Sequence, residues 1–60
     1  MYFVGELGYE HDAEFVNKED AISYAKEESI AAGLNPIAIL NDAGEVVVIA
    51  VEGEIFIKQN

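Results

Sequence analysis

Six consecutive apolar residues, Val46-Val47-Val48-Ile49-Ala50-Val51, leave a chain of 60 residues few ways to fold. Side chains branched at Cβ are restricted in rotamer and pack well on a pleated surface, so this run is expected to be a strand. A strand sends alternate side chains to opposite sides. Val46, Val48 and Ala50 are therefore expected on one face of a sheet, and Val47, Ile49 and Val51 on the other. Both faces are apolar, and a single short helix covers only one of them. The second must meet another sheet, another chain or a partner.

The flanking residues supply the rest of the sheet. Ile37-Ala38-Ile39-Leu40 precedes Asn41-Asp42-Ala43-Gly44, where Asn and Asp suit the start of a turn and Gly44 suits the left-handed residue that closes it with a bulge. Glu52-Gly53 gives a second tight reversal into Glu54-Ile55-Phe56-Ile57-Lys58, which completes a three-stranded meander. At the amino end, Tyr2, Phe3 and Val4 favour a strand ending near Gly8. Residues Tyr9 to Phe15 show no sustained period and read as a loop or an extension of that strand.

Between them lies the helix. Asn17 is placed to accept a bond from the backbone of Asp20, Asp20 to reach back as in a capping box, and Val16 to staple over Ala21. Glu19 and Asp20 complement the positive end of the macrodipole in the first turn, and Gly33 is placed to stop the helix before Leu34. At 3.6 residues per turn, Ala21, Ile22, Ala25, Ser29 and Ala32 share a packed face, with Asp20, Ser23, Tyr24, Glu27 and Ala31 largely opposite. The expected fold is α+β, in the order β-α-β-β-β, one helix packed on a small, mostly antiparallel sheet. Residues 1–60 form one domain.

At this length the ordering entropy and the burial terms nearly cancel. With no cysteine, neither a disulfide nor a thiolate metal site adds support. Burying the second sheet face in a homodimer supplies the missing stability, so a homodimer is expected. No apolar run reaches the ~18 residues of a spanning helix. Glu6 stands where a signal peptide would be apolar, which makes the cytoplasm the expected location.

Twelve carboxylates against three lysines and no arginine give a formal charge of -9. Such a field repels nucleic acid and anionic membrane and attracts basic partners. Catalysis is not expected. Ser23 and Ser29 are the only serines, threonine is absent, the one histidine precedes the helix, and no glycine-rich phosphate loop occurs. His11 among Glu10, Asp12 and Glu14 has chemistry suited to zinc but no ligand spacing to match, and Asp42 to Glu45 lacks the ladder of a calcium loop. No metal or cofactor is expected.

The carboxylates remain as a surface. They either keep a very apolar sheet soluble or imitate phosphates, since the lysines, arginines and helix amino termini that grip DNA accept a folded array of carboxylates equally well. Charge alone gives little selectivity, and a mimic needs an apolar feature too. The rim near Ile22, Ile30, Leu34, Tyr2, Phe3 and Tyr24 offers one for a side chain that a target inserts between bases.

Glu28-Ser29-Ile30, together with Ile37-Ala38-Ile39-Leu40-Asn41-Asp42-Ala43-Gly44-Glu45, resembles phage inhibitors of uracil-DNA glycosylase. In that family a Glu-Ser-Ile segment enters the enzyme's DNA cleft, and an apolar pocket encloses an enzyme side chain. The resemblance implies that Glu28 and Ser29 face the cleft and that Ile30 supports them, although here the tripeptide falls within the predicted helix. A further group of very small phage inhibitors of this enzyme, with a helix on a short sheet and dimeric, resembles the architecture without sharing a motif. The expected function is an acidic DNA-mimicking inhibitor acting in a bacterial host, with Asp20, Tyr24, Glu27, Glu28, Ser29 and Ile30 at its partner site. The alternative is a small homodimeric structural or regulatory module whose acidity only provides solubility.

Overall fold

The computed structural model describes residues 1–58. Its elements are β1 (Tyr2–Glu6), β2 (Ala13–Phe15), α1 (Lys18–Ala32), β3 (Ile37–Leu40), β4 (Val46–Val51) and β5 (Glu54–Ile57). The α+β fold with its β-α-β-β-β order is present, and β2 is a short additional strand in the stretch between Tyr9 and Phe15. The strands form one sheet in the order β2-β1-β3-β4-β5, antiparallel at every pairing. Because β1 lies antiparallel to both β2 and β3, those two run in the same direction, and α1 is the crossover between them. That path carries the helix across the sheet, where it touches all five strands.

The register explains the core. Val4 stands opposite Ile39 and Ile39 opposite Val48, and all three are fully buried in a row across the central strands. Ile37 pairs with Ala50 in the next row. From the helix, Ala21, Ala25 and Ser29, four residues apart, are the buried positions. Such short side chains let the helix backbone approach the sheet closely, and Ile22 and Ala32 pack beside them as the period predicts.

The β3–β4 turn is built on Asn41, whose Oδ1 accepts from the amides of Ala43 at 2.9 Å and Glu45 at 3.0 Å. Gly44 closes the turn at φ 78° as expected, and a second bulge, which no turn residue announces, lies one pair further along and changes the facing of two valines. Leu40 pairs with Val46 while the adjacent Ile39 pairs with Val48, so Val47 is the extra residue. Val47 therefore packs against the helix-side core, and Val46 shares the opposite face with Leu40. Simple alternation put these two the other way round; it holds from Val48 to Val51. In the β4–β5 turn both Glu52 (φ 49°) and Gly53 (φ 83°) are left-handed, the conformation of a two-residue turn matched to sheet twist.

At the helix start the expected devices are replaced by weaker ones. Asn17 has the extended backbone of an N-cap but makes no side-chain cap bond; its Nδ2 donates to Asp20 Oδ2 at 3.4 Å. Val16 is 76% exposed and staples nothing. Gly33 ends the helix where expected, but at φ 67° and ψ -121° it lies outside the left-handed helical conformation anticipated for it and in a region that glycine tolerates.

The sheet face away from the helix is only half covered. After β1 the chain folds back over it, so that a Cβ placed on Gly5 would lie 2.6 Å from His11 Cα. The Phe3 and His11 rings sit 4.8 Å apart in the same layer. Nothing among the described residues performs this task over β4 and β5. The amino group of Met1 pairs with Asp42 at 3.2 Å, and the Lys58 amide continues the β5 ladder to the Val47 carbonyl.

Candidate partner-binding site

One ridge of α1 carries Asp20, Tyr24 and Glu28 at four-residue spacing, the separation at which helix side chains become neighbours. Tyr24 Oη donates to Glu28 Oε1 at 2.9 Å. The Tyr24 ring packs 5.2 Å from that of Phe15 on β2, so the residue belongs to the core by its ring and to the surface by its hydroxyl. The helical period had placed it on the solvent side. The short strand that carries Phe15 accounts for the difference.

Below Glu28 the ridge opens into a depression of about 230 Å³. Glu28 of α1, Glu6 at the end of β1 and Asp12 just before β2 line it, over an apolar floor that includes Ala31, Ala32 and Ile37. Asp12 is held there by its own amide, which donates to the Val4 carbonyl at 2.9 Å. Three carboxylates from three elements thus surround one hollow. They offer acceptors only, which suits an ammonium or guanidinium whose carbon stem rests on the apolar floor.

The local field acts on Tyr24. Its hydroxyl is held above the usual tyrosine range, first by the hydrogen bond to Glu28, then by burial, and then by the negative charges of Asp12 and Glu28. A raised pKa means that the folded state binds this proton more tightly. The resulting stabilisation is complete below the ordinary tyrosine pKa near 10 and is lost as pH rises through the higher folded value. Replacing Glu28 by glutamine is expected to lower the Tyr24 pKa, read from tyrosinate absorbance in an alkaline titration against the unmodified chain. An unchanged titration would remove Glu28 as the principal cause.

The six residues expected at the site do not stay together. Asp20 and Glu27 are exposed on the outer side of α1, and Tyr24 and Glu28 are half-buried beside the depression. Ser29 is a correction. It is fully buried, donates to the Lys26 carbonyl at 2.7 Å and accepts from the Gly53 amide at 2.9 Å, so it fastens helix to sheet and meets no partner. Ile30 is exposed but rests beside Gly53 in the β4–β5 turn, across the helix from the Asp20 ridge. The Glu-Ser-Ile tripeptide therefore points in three directions, because successive residues on a helix are about 100° apart. Glu6 and Asp12 were legible only as acids near the first strand, since their approach to Glu28 depends on β2 pairing with β1.

Of the twelve carboxylates, only Asp42 stands in an ion pair with a permanently placed cation among the described residues, the Met1 amino group, while Glu14 lies 3.3 Å from His11 Nε2, a contact that is ionic only when the imidazole is protonated. No three His, Cys, Asp or Glu side chains among the described residues, those of the hollow included, stand close enough together to hold a metal ion. Among the described residues no helix is long and apolar enough to cross a membrane. No protein-family model, curated protein or solved structure matches the chain. Fold and site together describe a small acidic α+β protein with a carboxylate-lined, apolar-floored hollow between α1 and the end of β1.

Proposed function

We propose that this chain is an acidic DNA mimic that blocks the cationic DNA groove of a protein in a bacterial host's cytoplasm, with uracil-DNA glycosylase the first target to test. The observation that carries the reading is the convergence of Glu6, Asp12 and Glu28 on one hollow, continuous with the Asp20–Tyr24–Glu28 ridge. Carboxylates set on a helix, a strand and a loop of one rigid body can meet the lysines and arginines that otherwise contact phosphates. The apolar floor supports selectivity beyond charge. Contact runs through Glu28 with Glu6 and Asp12 rather than through Glu28 and Ser29, so the reading does not rest on the tripeptide's order.

The test compares two variants of equal charge. Glu6→Gln/Asp12→Asn/Glu28→Gln empties the hollow of charge, while Glu19→Gln/Glu45→Gln/Glu52→Gln removes the same charge elsewhere. The unmodified chain should inhibit uracil excision in competition with DNA. The first variant should weaken inhibition by roughly tenfold or more at fixed salt and the second by much less, since a localised charge contact outweighs general attraction. No inhibition by the unmodified chain removes that enzyme as target. Equal losses in both variants reduce the acidity to bulk charge, which is the solubility reading.

A further inference from the structure

We infer that the open half of the second sheet face, Val46, Ile49, Val51 and Phe56, is the contact surface of a homodimer. This inference stands apart from the inhibitor reading and uses the opposite side of the sheet. By register these four residues lie on the side away from the helix, paired with Leu40, Ala38, Glu54 and Ile49. Phe56 is 55% exposed, and with Val46, Ile49 and the stem of Lys58 it borders a shallow apolar hollow of about 300 Å³. The loop after β1 closes the same face only on its β1 side.

Three observations select a second copy as the occupant. The first is charge. Every acidic side chain of the strands on this face lies on an edge strand, Glu14 on β2 and Glu54 on β5, so its centre is uncharged. A strongly basic partner finds only the rim carboxylate Glu54 to pair with there, whereas two copies meeting here bring one uncharged centre against another and keep both helices on the outer sides. The second is size. Specific interfaces begin near ~600 Å² per partner, and in a body of 27 × 25 × 21 Å that demands most of a broad face. The helix side is occupied by the helix, which leaves this one.

The third is the order of residues on β5. Glu54, Phe56 and Lys58 point the same way along the strand, giving an acid, an aromatic ring and a base in turn. That series is its own complement when reversed. A two-fold axis passing beside Phe56 at right angles to β5 sets Phe56 against its counterpart, and Glu54 against the partner's Lys58 at each end. The sheets then stack face to face as in a sandwich, with Ile49 and Val46 in the interior.

Sedimentation equilibrium of the whole chain across a wide concentration range tests this. The unmodified chain should dimerise, and more strongly as salt screens the charge of -9 on each copy. Phe56→Asp and Ile49→Lys should each raise the dimer dissociation constant by roughly a hundredfold, whereas Ile30→Lys and Leu34→Lys, at exposed apolar positions elsewhere, should change it by less than about threefold. Circular dichroism of each variant establishes that it is folded, and because Phe56 is largely exposed its variant retains the core. Combining Glu54→Lys with Lys58→Glu should restore the affinity that Lys58→Glu alone reduces. A chain that remains monomeric at millimolar concentration, or a dimer weakened by Ile30→Lys or Leu34→Lys but not by Phe56→Asp, overturns the proposal.

Discussion

Gly5→Ala is expected to unfold a large fraction of the protein at room temperature. The added methyl carbon would stand 2.6 Å from His11 Cα and 2.9 Å from the Glu10 carbonyl oxygen, both backbone atoms. No flexible side chain is available to move aside, so the segment from Glu10 to Asp12 must lift from the sheet. Lifting it breaks the Phe3–His11 contact and pulls on the Asp12 amide that anchors β2 to β1. A clash of this kind costs on the order of 3 kcal/mol. Single-core domains of this size hold only about 3–5 kcal/mol in total. Urea denaturation followed by circular dichroism measures the loss, and a midpoint equal to that of the unmodified chain would show that the loop does not rest on Gly5. The cost falls on packing and on the acidic hollow together, because Asp12 belongs to both.

Ser29→Ala comes next in size. The Ser29 hydroxyl is the one polar group of the buried helix stripe, and it both donates to the helix and accepts from the Gly53 amide. Alanine leaves that amide without an acceptor at about 1–3 kcal/mol, offset by about 0.5 kcal/mol of better helix propensity. A net loss near 2 kcal/mol corresponds to a fall in melting temperature of roughly 10 °C for a domain this short. Hydrogen exchange at the Gly53 amide should accelerate along with it. A melting point within a degree of the original, with Gly53 still protected, would mean that the bond contributes nothing. Gly53 follows Glu52, a non-glycine residue at φ 49°, so the Ser29 bond also holds a turn whose first residue is strained.

The helix, the three carboxyl-terminal strands and the first strand could be read from residues because each rests on a local signal: a four-residue stripe of small side chains, Asn41 and Gly44 at one turn, Glu52 and Gly53 at the next. What escaped depends on contacts distant in sequence. Ala13–Phe15 has too few residues for a period to emerge, and it becomes a strand only because β1 is there to pair with it. The acidic hollow inherits that dependence, since Asp12 reaches Glu28 through the same pairing. The exchange of Val46 and Val47 came from a second bulge, one residue pair beyond the turn, at a position that no turn residue marks. Tyr24 was assigned to water by helical period alone and recovered by Phe15, a neighbour that period does not contain. Ser29 was read correctly as a packed residue from its spacing and incorrectly as a cleft residue from the tripeptide. Where the two readings conflicted, the geometric one prevailed.

The ion pair between the Met1 amino group and Asp42, and the bond from Lys58 to Val47, set the first and last described residues near the same hairpin. Glu6 and Ile37, which border the carboxylate hollow, occupy the far pole of their strands. A fluorophore or an affinity handle attached at Met1 or at Lys58 therefore sits at the pole remote from the hollow. A short linker between those two ends would also close the backbone into a ring, opening a route to rearranged versions cut at the Leu34-Asn35 loop.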